Sequence, residues 1–286
     1  MKKYIITTES GSDLSKEIID RYNIQVIPMH VIMDDKTYPD GSFEVQKVFD
    51  FYEKTGTLPK TSGSTPQDNT EVFKEVFAKY PDVHIIHIGY SAVTTVSFNA
   101  ANIAAQDFEN VHLVDSKNVS IGAAAIVKAT AQFIEDNPNK SPEEVIAFIE
   151  DICERTHMNF LPKTLLYLRA GGRVSNLAFL GANILKIFPS IKIENGYLVP
   201  GKKYRGSFER ALKKMIKDFF ESYNIESETV LIVGAPSVDD NYKEIILNLL
   251  RENGIEEARW MKAGAVISCH GGPGAIGIAG IEKNIS

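Results

Sequence analysis

Tyr4-Ile5-Ile6-Thr7-Thr8, followed by Glu9-Ser10-Gly11-Ser12-Asp13 and then by Leu14, Ile18, Ile19 and Tyr22 on one helical face, decides the fold class. A β-rich run giving way to 3.6-residue periodicity reads as strand, loop, helix. The succession recurs. Val26-Ile27-Pro28-Met29-His30-Val31-Ile32-Met33 is a second β-rich stretch, Val83 to Ile88 a third and Val111 to Val114 a fourth, with helical spacing such as Val72, Phe73, Val76, Phe77 between them. Strands alternating with helices predict a three-layer α/β domain around a mainly parallel sheet.

Further along, Ser141-Pro142-Glu143-Glu144 has capping-box spacing with proline at the first helical position, which predicts a helix to about Cys153. After Thr156 the texture changes. Leu-rich segments are broken by Gly171-Gly172 and Gly181, and Ile187 to Ile193 is followed by Gly196 and Pro200-Gly201, which suit a hairpin. A helix over 207–220 turns Phe208, Leu212, Met215, Ile216 and Phe219 inward, Val230 to Val233 is a buried strand, and Tyr242 to Leu250 is helical. The expected division is residues 1–157 and 158–286, the second domain also α/β but with a mixed sheet.

Composition bounds the function. The 286 residues are 44% hydrophobic with a net charge of −6, which fits a water-soluble globular chain and argues against a general nucleic-acid binder. Two cysteines, Cys153 and Cys269, without CxxC spacing give no disulfide framework. The opening MKKYIITTESGSD has only a short apolar stretch, and no run approaches the ~18 residues of a membrane span, so the expectation is a cytoplasmic protein that does not span a membrane but is free to touch its surface transiently.

Three motifs nearly match. Gly272-Pro273-Gly274-Ala275-Ile276-Gly277 satisfies GxGxxG, but a dinucleotide site needs a helix, a strand and an acidic residue ~20 positions on, and nine residues follow here. Gly196 to Lys203 approaches the phosphate-loop pattern, yet Lys203 stands where a Mg²⁺-holding hydroxyl belongs, so a hairpin tip is expected and no nucleotide site. Gly89-Tyr90-Ser91-Ala92-Val93 resembles a nucleophile elbow without its second glycine. With Asp115 and His270 following Ser91 in order, a serine hydrolase acting on a lipid ester is the alternative reading, to be recognised by Asp115 contacting His270.

Ligands of open α/β sheets sit beyond the carboxyl ends of the strands, where this chain places Tyr90-Ser91, Asp115-Ser116 and the hydroxyl-rich Thr61-Ser62-Gly63-Ser64-Thr65-Pro66, with Thr65 as expected N-cap. Asp13 reads most simply as a helix cap. His84, His87 and His112 lie in or beside strands. His270 stands apart in Ser268-Cys269-His270-Gly271-Gly272-Pro273-Gly274, read as a tight loop that leaves its imidazole accessible. No metal-ligand cluster is apparent.

Thr61-Ser62 with Pro66, Ser91, Asp115-Ser116 with Gly122, Leu168-Arg169-Ala170-Gly171-Gly172-Arg173-Val174-Ser175, Gly201-Lys202 with Arg205, and His270-Gly271-Gly272-Pro273-Gly274 together resemble the DegV family of bacterial fatty-acid-binding proteins. The resemblance runs through the whole chain. Gly63-Ser64 stands where the family often has Gln-Pro, Thr94-Thr95-Val96-Ser97 where it has Ser-Gly-Thr-Tyr, and Ala170 where a lysine is common. It implies two α/β domains with a long-chain fatty acid between them as ligand and no other cofactor. Its carboxyl group would be held by Thr61, Ser91 and His270. It further implies a lipid-binding subunit rather than a free-standing enzyme: the bound carboxyl group is presented to a separate ATP-dependent fatty acid kinase, and the acyl phosphate is carried onward. Arg173 and Arg205 would serve phosphotransfer or the partner. Phe179, Ile184, Leu185 and Phe188 are candidates for the acyl tunnel. The basic run Lys202, Lys203, Arg205, Arg210, Lys213, Lys214 and Lys217 reads as a solvated face or a docking patch.

Overall fold

The computed structural model describes residues 3–173, 186–256 and 258–284. Its first half runs β1 (Tyr4–Glu9), α1 (Lys16–Tyr22), β2 (Gln25–Ile27), β3 (His30–Met33), β4 (Lys36–Pro39), α2 (Gln46–Thr55), β5 (Lys60–Ser62), α3 (Pro66–Lys79), β6 (His84–Gly89), α4 (Ser97–Ala105), β7 (Val111–Asp115), α5 (Ser120–Asp136) and α6 (Pro142–Arg155). There follow β8 (Thr156–Leu161), α7 (Leu166–Gly171), β9 (Ile187–Glu194), β10 (Tyr197–Arg205), α8 (Phe208–Ser222), β11 (Leu231–Gly234), α9 (Asp240–Glu252), β12 (Arg259–Lys262), α10 (Ala265–Gly271) and β13 (Ile276–Ile281).

The first sheet has the order β2-β1-β6-β7 with all strands parallel. Period-two alternation sends Ile5 and Ile85 towards α3 and α4, and Tyr4, Ile6, Ile86 and Ile88 towards α1, α5 and α6, giving the expected three layers. The capping box anticipated at Ser141 forms with Glu144, and Thr65, the expected N-cap, forms one with Asp68, each with proline at the first position. Ser15, not Asp13, caps α1.

The second sheet is mixed, in the order β10-β9-β8-β13-β11-β12. Its outer face packs on α8, where Phe208, Leu212, Met215, Ile216 and Phe219 are buried as the periodicity required. Asn195 and Gly196, both at positive φ, form the tight turn between β9 and β10, while Pro200 and Gly201 lie within β10 at a register shift. Gly272 to Ala275 is a turn leading into β13, which holds Ile276 and Gly277.

Two features differ from the sequence reading. The stretch Val26 to Met33 is not one strand: Pro28, with no N–H and a fixed φ, ends the parallel ladder, and β3 restarts in a third sheet. That antiparallel sheet, β4-β3-β5, packs on α2, α7 and α10 through Val31, Met33, Phe49, Tyr167 and Val266. The central helix α5 is the second, for its sequence carries no helical periodicity. Eight consecutive residues, Ser120 to Val127, are buried, because α5 packs against β1 and β6 of the first sheet and β8, β11 and β13 of the second. A helical segment enclosed on all sides, as these eight residues are, cannot show an amphipathic stripe.

Ala124 is fully buried in that helix. Ala124→Leu is expected to lower the urea-unfolding midpoint by ~1–3 kcal/mol equivalent at unchanged m, since extra methylenes there must push two sheets apart.

Candidate functional site

A cavity, about 860 Å³ of atom-free space with the open solvent at its mouth included, lies against the start of α5, the inner face of the second sheet, β5 and α10. Val119, Met158, Leu168, Leu198, Val233 and Val266 give it an apolar wall. Thr61, Ser62, Arg173 and His270 are among its polar lining.

Each polar group is placed by its element. Thr61 sits on β5 opposite Val31 of β3. The N-terminus of α10 is tied at Gly264 N–H, which donates to Asp13 Oδ1 at 2.7 Å, and at Ala265 N–H, which donates to Asp40 Oδ1 at 2.9 Å. One turn and a half later the helix delivers His270, whose Nε2 lies 2.8 Å from Thr61 Oγ1. The imidazole is thus on a helix and half-buried, not exposed in a glycine loop, because Ala265 to Gly271 closes a helical turn before the glycines begin. A Cβ at Gly171 would fall 2.1 Å from His270 Nδ1, so the ring needs glycine there. Nδ1 is buried and has no hydrogen-bond partner among the described residues.

Burial, and then the charge of Arg173, push the His270 pKa down to about 4. The imidazole is therefore neutral at physiological pH, a donor or acceptor rather than a cation. Arg173 is exposed, lines the cavity and donates from Nη1 to Gly171 O at 2.7 Å. A hydroxyl, a neutral imidazole and a nearby guanidinium can together satisfy an anionic oxygen group whose remainder is apolar.

The other site candidates do not join this group. Ser91 is fully buried and donates to Gly196 O at 2.8 Å, outside the cavity wall. Asp115 Oδ1 accepts the Ala92 and Lys117 N–H groups. Ser91, Asp115 and His270 do not assemble a triad, because each serves a different partner. Arg205 is exposed at the end of β10, opposite Ile187. Phe188 packs on Phe208 in the outer core of the second sheet; Phe179, Ile184 and Leu185 lie outside the described residues. The basic run is partly neutralised, with Lys202 paired to Asp218, Lys213 to Glu209 and Lys217 to Glu221.

Tyr90, singled out with Ser91, does line the cavity, whereas sequence reasoning missed Thr94, Thr95 and Ser120. Thr94 and Thr95 stood beside the singled-out Ser91, but only the loop's path after β6 turns them to the cavity. Ser120 carried no signal, since its φ of 48° is visible only in the structure. Among the described residues no group of three or more His, Cys, Asp and Glu could hold a metal ion, and no helix is long and apolar enough to cross a membrane.

The fold and site define an α/β protein enclosing an apolar cavity with a hydroxyl–imidazole pair on its wall. The chain belongs to the DegV family: the model of that family, described as uncharacterised protein, DegV family, matches residues 3–283. It is 28% identical to a DegV domain-containing protein of Clostridium perfringens, over the whole of both chains. It is also 28% identical to a fatty acid-binding protein of Thermotoga maritima, covering 98% of each. The solved structure of a fatty-acid-binding DegV family protein from Thermus thermophilus superposes with a TM-score of 0.86 at 25% identity, covering 98% of this chain and 100% of that one.

Below pH 6.5 the unfolded chain protonates His270, whereas the folded chain resists until about pH 4. This group therefore costs folded-state stability as pH falls through that window. In ligand-free protein, His270→Gln should reduce the loss of stability between pH 7 and pH 4 by about 2–3 kcal/mol relative to wild type. Parallel denaturation profiles would assign the acid sensitivity elsewhere.

Proposed function

We propose that this chain binds a long-chain fatty acid in the cavity, between domains of residues 1–157 and 158–286, with the carboxyl group at Thr61 and His270. The observation that carries the reading is the joining of an apolar wall to the 2.8 Å Thr61–His270 pair. Each buried methylene contributes about 0.8 kcal/mol, so length is favoured, while the hydroxyl and imidazole offset desolvation of the carboxyl end. The Thermotoga and Thermus relatives support the ligand class. Ser91 acts through its bond to Gly196, bracing the loop that carries Thr94 and Thr95. The unassembled triad removes the support for a lipid hydrolase.

The fuller reading is a cytoplasmic lipid-binding subunit that presents the carboxyl group to a separate ATP-dependent fatty acid kinase. A carboxylate oxygen would attack the γ-phosphorus of the kinase's ATP, ADP would leave, and this chain would carry the acyl phosphate. Arg173 at the cavity fits the incoming phosphoryl oxygens with a planar donor fork, and Arg205 on the exposed end of β10 faces the partner.

Denaturing extraction of protein purified from cells, followed by mass spectrometry, should release about one long-chain fatty acid per chain, since an apolar cavity of this kind is unfavourable when flooded. Finding none, together with no uptake of added fatty acid, would overturn the binding reading. Arg173→Ala should keep its fatty acid and greatly lower acyl-phosphate formation with kinase and ATP. Undiminished transfer would remove Arg173 from that step.

A further inference from the structure

Asp13 is enclosed beneath the cavity, 5% exposed, in the loop after β1 at a φ of 54°. It joins two parts of the structure that both reach the ligand space. Its Oδ2 lies 2.5 Å from Oγ of Ser120, a cavity-lining residue at the first position of α5. Its Oδ1 accepts the Gly264 N–H that starts α10, the helix ending in His270. The charged and titratable groups around it are Asp40 after β4 and the Tyr90 phenol after β6, Tyr90 being itself influenced by Glu9 and Arg173. The Gly264 turn and α5 present a backbone N–H and a hydroxyl. A carboxylate here would be a buried negative charge facing another acid, with two neutral donors as its hydrogen-bond partners.

We propose that Asp13 is a positioning residue for the fatty-acid site: as a neutral acid it donates its O–H to Ser120 Oγ, accepts the Gly264 N–H, and leaves the Ser120 hydroxyl proton free to point into the cavity. The proton thus sets the polarity of one spot on the cavity wall. When Asp13 ionises, Ser120 must turn its proton back to the carboxylate, and a lone pair backed by a negative charge faces a ligand that is itself anionic. Burial, opposed by the bonds from Ser120 and Gly264, raises the Asp13 pKa to about 8, so the change falls just above neutrality. The cost of keeping the acid neutral has the matching sign. Between pH 3.8 and about 8 the folded chain holds a proton that the unfolded chain has lost, so this group lowers stability as pH rises through that range.

The inference rests on the fatty-acid reading, and its test separates the two. With delipidated full-length protein and a saturated C18 fatty acid, the wild-type dissociation constant should rise about tenfold between pH 7 and pH 9, as the competent protonated fraction falls. Asp13→Ala should weaken binding at pH 7. Asp13→Asn, which donates to Ser120 and accepts from Gly264 as the neutral acid does, should restore most of that affinity and flatten the pH profile. Infrared difference spectra of the wild type across the same range should show a protonated-carboxyl stretch that disappears on raising the pH and is missing from Asp13→Asn. Asp13→Asn retaining the wild-type pH profile, or an infrared band absent from wild type at pH 7, would overturn the proposal even if Asp13→Ala fails to fold. No binding by wild type at any pH would instead sink the fatty-acid reading, while the infrared band still reports on the Asp13 proton.

Discussion

Burial of the first half of α5, Ser120 to Val127, on every side is the constraint from which the rest of the architecture follows. A helix placed between two sheets must carry small or branched side chains all round, and Ile121-Gly122-Ala123-Ala124-Ala125-Ile126-Val127 supplies them. At Gly122 the fit is closest, since a Cβ there would stand 2.3 Å from Asn118 Oδ1. One hydrophobic cluster consequently runs through both sheets, from Tyr4 and Ile86 through α5 to Met158 and Leu231. The cavity opens at the N-terminal end of this helix, where Val119 and Ser120 form part of its wall. The site is a continuation of the core rather than a feature added to its surface.

That origin explains the site's electrostatics. A cavity continuous with a core disfavours charge, and His270 is held neutral by burial while Arg173 reinforces the effect. The charged guanidinium remains exposed. Polarity is thus graded from a dry apolar wall, through neutral hydrogen-bonding groups, to a solvated cation. An amphiphile with one anionic end meets the same gradient along its own length.

Much of this was readable before the structure. Tyr4 to Thr8 and Val83 to Ile88 announced parallel strands because burial on both faces leaves continuous apolar runs. The caps at Thr65 and Ser141 were legible because capping is local chemistry. Convergence of Thr61 with His270, 209 residues apart, was reached only through family resemblance, since no local pattern encodes it. Ser91 was singled out because it follows a strand, but position after a strand does not fix the direction of a side chain. Its hydroxyl turns to Gly196 while Thr94 and Thr95 reach the cavity. The third sheet was hidden because β3, β4 and β5 are three or four residues long, too short for periodicity to declare.

The hydrogen bond from Ser91 to Gly196 joins the loop after β6 to the tip of the β9–β10 hairpin, 105 residues away. The approach is close: a Cβ on Gly196 would lie 2.7 Å from Ser91 Oγ and 3.0 Å from Val93 Cγ2. Hairpin length and loop length are therefore not independent during divergence. A residue inserted at the Asn195-Gly196 turn would drive the tip into the strand-end loop, and a deletion there would withdraw its support. Either change has to be answered across the interface before the threonines beside it can keep their places. Tolerated length variation in this chain belongs on other edges of the second sheet.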